Sequence, residues 1–455
     1  MPSPKTVPAR DYPLLLGGQF LGAFGDQAIL ALLLGPLLFR REANLISEEA
    51  MRNWNTLLTA LLFAPCVLLA PLAGFCNDRF PKSACLVAGN AIKLAGALLC
   101  AAGLACADGG DARAVLQAAG YLVVGAGTCL YGPAKYGILP EILPAEKLVR
   151  ANGHVEVLTL LAILGGFTTG SVLADVFRAS PALPHAIILA LYAAALAANA
   201  AMARTPGNPA VRLGHGAGEF FQRLRDLLAA PRTRLILAGT ALFWIVGAAM
   251  KSHFQPWGQG VLGLRSNTEI SLLAVVLSIG VMAGSLLAGR LRKVGDLRGV
   301  PRAGIALAAV LLLAWMIGAS TAEPAWLREL PDGIADTLRA AGLTGRGLGL
   351  SPRAVLMGLE LVLPACALLV ASGFFAGLFL IPLNAALQHE SEPGKLGKTI
   401  AIQNLFDYLG MCGSGLYLFA ANTAGAGLRT VFLGLALLTL AASLWMQTRP
   451  ALRSR

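Results

Sequence analysis

Pro13-Leu-Leu-Leu-Gly-Gly-Gln-Phe-Leu-Gly-Ala-Phe-Gly-Asp26-Gln-Ala-Ile-Leu-Ala-Leu-Leu-Leu-Gly-Pro-Leu-Leu-Phe39 is an apolar run with one ionisable side chain, Asp26, about midway along it. As a helix it reaches about 40 Å, more than the roughly 30 Å hydrocarbon core of a bilayer. It is too long for the 7–15-residue apolar region of a secretory leader. It reads as a first membrane span kept in the chain.

The remaining sequence repeats this pattern. Of 455 residues, 56% are hydrophobic and 13% charged, with a mean hydropathy of +0.68. Soluble domains carry about 25% charged residues. So little polar surface argues against both a soluble enzyme and a disordered scaffold. Apolar runs at 13–39, 54–76, 83–107, 114–139, 155–177, 184–203, 233–255, 269–289, 303–322, 353–388, 398–421 and 427–446 predict an all-α membrane protein of twelve transmembrane helices. The tenth run is too long for one perpendicular helix, so it is expected to start late or to bend at Pro364 or Pro382. The amphipathic stretch Trp326 to Ala341 before it is expected to lie on the membrane surface.

Basic residues orient the spans. With both termini on the cytoplasmic side, that side holds 22 Lys and Arg and the other 11, while Lys93, Lys135 and Lys251 fall inside spans. This is the positive-inside bias. It accounts for the net charge of +12 without nucleic acid, and it suits anionic membrane lipids. The longest cytoplasmic connection, 204–232, holds the amphipathic segment Phe220 to Leu228 and divides the chain into six-helix halves, 1–203 and 233–455. Weak internal similarity supports the division: Gly132-Pro133-Ala-Lys135 matches Ile381-Pro382-Leu-Asn384, and Glu141 and Glu390 each follow eight residues after the proline. Asn152 to Glu156 and Gln403 to Asp407 then open the next helices.

Enzyme signatures are missing. No His is followed four residues on by Asp, and Gly397-Lys398-Thr399 lacks the glycine and strand of a phosphate-binding loop, reading instead as a loop between spans. The five histidines are scattered, and the eight cysteines form no C-x-x-C and read as packing residues. No metal site or cofactor is expected.

Charges within spans cost several kcal/mol unless paired or facing water. Asp26, Lys93, Lys135, Glu156, Lys251, Glu360 and Asp407 fall in this class. Asp26 is too deep to reach water along its own helix, so it either faces a cavity or makes a polar contact between helices. Lys135 and Lys251 lie near span ends, where snorkelling is the alternative. Lys93 and Glu156 read equally as gate residues or as a structural pair or cap. Asp407 favours function, and Glu360 a solvated boundary.

Gly74-Phe-Cys-Asn-Asp78-Arg79-Phe-Pro-Lys82 resembles the loop signature of the major facilitator superfamily, in which glycine permits close helix packing and the Asp/Arg pair clasps a neighbouring helix. Proline at 81 replaces the usual second glycine. Gln19 to Asp26, Pro133 to Leu139, Lys147 to Gly153, Gly239 to Trp244 and Pro382 to Ala385 are similar to the bacterial lysophospholipid transporter family of that superfamily. The resemblance covers nearly the whole chain. It implies that spans one, four, seven and ten line a cavity, placing Asp26, Lys135, Lys251 and Asn384 along it as substrate-binding residues. Gly74, Asp78, Arg79, Lys93, Glu156 and Asp407 would form gates. It also implies movement of lysophospholipids from the outer to the inner leaflet of the inner membrane, where a cytoplasmic acyltransferase re-acylates them. The family commonly has arginine where this chain has Lys251, so the bidentate fork for phosphate is lost. A drug or metabolite exporter of the same fold, or a non-transporting sensor, are the competing expectations.

Overall fold

The computed structural model describes residues 8–106, 111–211, 216–264, 267–317, 362–392 and 394–449. Glu360 and the stretch 326–341 lie outside them. Among the described residues there are fifteen α-helices: α1 (Asp11–Glu42), α2 (Glu48–Leu68), α3 (Ala70–Arg79), α4 (Lys82–Ala102), α5 (Asp111–Gly137), α6 (Leu139–Ile142), α7 (Leu148–Val176), α8 (Ala182–Ala200), α9 (Gly216–Ala229), α10 (Pro231–Gly260), α11 (Asn267–Leu291), α12 (Val300–Met316), α13 (Leu363–Glu390), α14 (Leu396–Thr423) and α15 (Thr430–Gln447). Among the described residues there is no strand.

Among the described residues nine helices are long and apolar enough to cross a membrane, and α2 with α3 makes a tenth, bent by 56°. The bend has a cause: Pro65 inside α2 and Pro71 in the first turn of α3 each remove a backbone donor around Leu69. Adding the shorter apolar α12 and the 28-residue α14 is consistent with the expected twelve. Of the overlong tenth run the described part is α13, from Leu363, with Pro364 in its first turn, where an N–H has no helical partner to lose; 353–361 lie outside the described residues. Gly397-Lys398-Thr399, expected in a loop, instead forms the first turn of α14.

Helix pairings of the first half recur in the second. α1 packs on α7 as α10 packs on α14, α4 on α5 as α12 on α13, and α2 on α5 as α11 on α13. In lipid the hydrophobic effect does not hold helices together, so close backbone approach does. Gly280 and Gly284 of α11 press on the Val370 and Phe374 carbonyls, and Gly373 and Gly377 of α13 press back on Leu277 and Val281.

The halves meet at the end that carries the α8–α10 connection, the linker end. There Ala288, Ile381 and Ala385 of the second half join Leu15, Leu86, Ile138 and Val149 of the first in one buried cluster. In the linker, α9 buries Phe220 and Leu227 against the second half while Phe221 stays exposed.

A Cβ at Gly284 would collide with the Phe374 backbone, whereas one at Gly17 meets nothing within 4 Å. Gly284→Val is expected to lower stability by about 1–3 kcal/mol or more. Gly17→Ala should leave it unchanged or slightly raised. Thermal midpoints in detergent check both; an unaffected Gly284→Val would mean that α11 and α13 are not in close contact.

Candidate functional site

Asp26 lies on α1 at 6% exposure, with both carboxylate oxygens engaged. Lys93 Nζ of α4 donates to Oδ2 at 2.7 Å, and the Tyr192 hydroxyl of α8 donates to Oδ1 at 2.8 Å. The Thr128 hydroxyl of α5 also lies 3.2 Å from Oδ2, and Tyr121 donates to the Asp26 carbonyl at 3.3 Å. Four helices of the first half thus converge on one carboxylate. Lys93 sits 5.1 Å from the Tyr131 ring centroid, a second contact for its charge. Of this cluster, Thr128 also lines a void of ≈ 10 Å³ between the halves, opposite Asn404 and Tyr408 of α14. Asp26 therefore stands one side chain behind that wall.

The other ionisable residues are distributed differently. Lys135, at the linker end of α5, lies 4.8 Å from the Tyr136 ring centroid and feels the charge of Glu156 without an ion pair among the described residues. Glu156 on α7 and Asp407 on α14 are buried, on topologically matched helices of the two halves. Asp407 lies beside Thr240 and Trp244 of α10, and its Oδ1 has no hydrogen-bond partner among the described residues. Asn384 accepts from Gln403 at 2.6 Å. Lys251, on α10 towards the end away from the linker, is exposed and has no ion-pair partner among the described residues. Asp26 and Lys93 are thus brought together, while Lys135, Lys251 and Asn384 join neither them nor one another through a hydrogen bond or ion pair among the described residues.

The linker end is closed by a carboxylate on a helix terminus. Asp78, at the end of α3, accepts from the Gly397 N–H at 2.7 Å and the Lys398 N–H at 3.3 Å. These are free donors of the first turn of α14, where the helix dipole favours an anion. Lys398 Nζ adds a 3.3 Å ion pair to Asp78 and a 2.7 Å one to Glu219 of α9. Gly74 makes this possible, since a Cβ there would come within 3.1 Å of the Lys398 Cα. Arg79 turns away from α14: its guanidinium donates to the Pro209 and Val211 carbonyls of the linker, and its own carbonyl accepts from Asn208 at 2.9 Å. Separately, Asn152 of α7 and Gln388 of α13 join the halves by exchanging amide hydrogen bonds of 2.8 and 2.9 Å.

Peripheral pairs brace each half. Lys82 donates to Glu141; burial pushes the Glu141 carboxyl above its ordinary range, and Lys82 opposes that rise. In the second half Arg232 of α10 bonds Glu390, the counterpart of Glu141, at 2.7 Å. Lys395, and then Arg223, hold the exposed Glu392 carboxyl below its usual value.

Sequence reasoning missed Thr128, Tyr192, Lys398, Glu219 and Gln388. Gln388 and Lys398 carried a usable signal as polar residues in or beside apolar runs. Tyr192 and Thr128 did not, because both are ordinary occupants of membrane helices.

Residues 15–331 match the family model of the Major Facilitator Superfamily. The chain is 31% identical to the lysophospholipid transporter LplT of Serratia proteamaculans (strain 568), over 99% of each chain. It is 31% identical to the protein of the same name from Yersinia pestis (strain Pestoides F), over 88% of this chain and 84% of the relative. Similar solved structures include a bacterial homologue of the iron transporter ferroportin in an outward-facing state (17% identity, 96% and 100% coverage, TM-score 0.63) and the human organic anion transporter MFSD10 (14% identity, 95% and 99% coverage, TM-score 0.66). The E. coli fucose:proton symporter FucP aligns at 12% identity over 98% of each chain, with a TM-score of 0.66. At these identities the structures show the fold. The relatives are transporters, not enzymes, and this chain is a multi-pass membrane protein.

Removing one member of a buried ion pair strands the other, at about 3–5 kcal/mol. Asp26→Asn and Lys93→Met should each lower the thermal midpoint in detergent, and the double variant should recover most of the loss. Additive losses would show that the two charges do not depend on each other.

Proposed function

We propose that this chain, which belongs to the Major Facilitator Superfamily and within it to the lysophospholipid transporter family, moves lysophospholipids such as lysophosphatidylethanolamine across the bilayer by alternating access. The observation that carries the reading is the pairing of a full-length match to lysophospholipid transporters with a linker end locked by Asp78 on α14. The twofold excess of basic residues at the linker end supports placing that end and both termini in the cytoplasm of a bacterial inner membrane. On this reading the locked state faces the outer leaflet, and substrate travels inward, where a cytoplasmic acyltransferase would consume it.

The charges suggest an order of events. Lys251, exposed at the far end and without an ion-pair partner among the described residues, would attract the headgroup phosphate first. Asp26 already holds one ammonium, that of Lys93, so a headgroup amine would act on it by exchange, with Thr128 between it and the path. One cation replacing another leaves no carboxylate bare in a low dielectric. Asp78 would then release α14, and Lys135, held electrostatically towards Glu156, would meet the phosphate at the inner mouth. Asn384, bonded to Gln403, lies on the helix facing that mouth. In the gating set Gly74 and Asp78 hold α14, Arg79 anchors the linker, and Lys93, Glu156 and Asp407 change partners as the halves rock.

Import of labelled lysophosphatidylethanolamine into proteoliposomes tests the proposal. Lys135→Gln should reduce the initial rate about tenfold or more, and Lys135→Arg should retain much of it, because the former loses a charged contact to phosphate. Import at the wild-type rate in Lys135→Gln and Asp26→Asn would remove the assigned roles. No lysophospholipid movement by the wild type, with efflux of cationic drugs instead, would favour an exporter.

Asp78→Asn should open the linker end. Spin labels at Glu146→Cys and His389→Cys, in a background without the native cysteines, should show a longer distance population growing at the expense of the short one. An unchanged distribution would mean that Asp78 does not hold the gate.

A further inference from the structure

At the end away from the linker, the first half contains a cavity of ≈ 490 Å³ that the transport path does not use. It is built from α1, α2, α5, α7, α8 and the α1–α2 and α7–α8 turns. Three arginines line it: Arg40 at the end of α1, Arg113 at the start of α5, and Arg178 in the turn after α7. No acidic residue appears among its described lining. The Arg178 guanidinium lies 3.9 Å from the Phe39 ring centroid, so stacking orients it. Deeper, the wall becomes apolar, with Leu32, Leu33 and Leu58 at 5%, 5% and 3% exposure. Leu32 is eight residues, or about 12 Å along α1, from Arg40. His185, at 6% exposure, completes the wall. Its Nδ1 lies 2.8 Å from the Pro181 carbonyl, which accepts, and its buried Nε2 has no hydrogen-bond partner among the described residues.

The arrangement is selective in two respects. The positive-inside bias depletes this end of basic residues, and the first half has only Arg40, Arg41, Arg52, Arg113 and Arg178 there. Three of those five converge on one cavity. A cationic rim above an apolar floor also matches a molecule with a phosphate at one end and a hydrocarbon chain at the other.

We propose that this cavity is a second lipid site, which holds a phosphate-bearing single-chain lipid of the leaflet at this end of the molecule, with its phosphate on Arg40 and Arg178 and its chain against Leu32, Leu33 and Leu58. The choice of a single chain rests on the lysophospholipid reading; the phosphate preference rests on the arginines alone. The site lies apart from Lys135 and the closed inner mouth, so its occupancy and that of the path are separate events.

Native mass spectrometry of the full chain in detergent, titrated with lysophosphatidylethanolamine, counts the retained lipids. Two are expected for the wild type at saturation. Arg40→Gln with Arg178→Gln should lose one, with apparent affinity at that site falling about tenfold or more. Arg40→Lys with Arg178→Lys should keep it in part. Lys135→Gln should lose the other lipid and spare this one, and the lipid retained at the path in the double Gln variant reports that its fold is intact. Glycerophosphoethanolamine and inorganic phosphate, which lack the chain, should not compete; competition by either would reduce the site to a phosphate pocket and overturn the lipid assignment. Equal retention of diacyl phosphatidylethanolamine would overturn the single-chain assignment. Two lipids retained by the double Gln variant would overturn the site itself. If the arginine-dependent lipid persists while the Lys135-dependent one and lipid import are both absent in the wild type, the transport reading fails and the second site stands.

Discussion

An ionised side chain in hydrocarbon costs about 2.5–3.5 kcal/mol near the centre of a span by insertion scales, and more where it meets no water. This chain answers that constraint in two ways. Asp26 and Lys93 neutralise each other between four helices, with Tyr192 and Thr128 completing the carboxylate's hydrogen bonds. Lys135 and Lys251 have no ion-pair partner among the described residues. The first arrangement fixes how α1, α4, α5 and α8 assemble. The second is tolerable only where water or a polar ligand reaches the charge. The division between sealed and unsealed charges therefore follows the division between what holds a half together and what a passing headgroup can meet.

The contact between the halves at the linker end, the proposed gate, uses the same electrostatics at a helix end. The first-turn N–H groups of α14 have no partners within their own helix, and Asp78 of the other half supplies the acceptor. Such a contact is strong when made and leaves polar groups ready for water when broken, which suits a lock that must release. Lys398 ties this lock to Glu219 and hence to the linker helix, and Arg79 ties the neighbouring turn to the linker backbone. The connection between halves is thereby part of the closed state. Closure at Gly74 depends on a missing side chain, because only a bare Cα lets α3 approach the α14 backbone so nearly.

Much of this was legible in the sequence because a membrane enforces simple rules. Twenty apolar residues must span, so the runs 13–39 and 233–255 appear as α1 and α10. The glycine and aspartate of Gly74 to Asp78 pointed to a helix clasp, and they sit on α14. The rest was hidden for physical reasons. Helix breaks depend on where prolines fall relative to neighbours, so one apolar run at 54–76 gave no sign of the 56° bend at Leu69. Lys93 was visible as a buried charge, but its partner is 67 positions away in sequence, and no local period encodes such a distance. Lys398 looked like the tail of a failed phosphate-binding motif, since its function depends on an aspartate 320 positions earlier.

The two halves also differ in a way that their shared helix pairing does not require. The matched acids Glu156 and Asp407 occupy corresponding helices, yet Lys135 in the first half corresponds to Asn384 in the second. One half thus offers a cation at the inner mouth and the other an amide already bonded to Gln403. Rocking of symmetric halves would present equal surfaces to both sides of a ligand. On the proposed function, unequal ones would give a lysophospholipid an orientation, with its phosphate turned to the first half. An amphiphile needs that asymmetry, because its two ends must be solvated differently at every step of a passage through the bilayer.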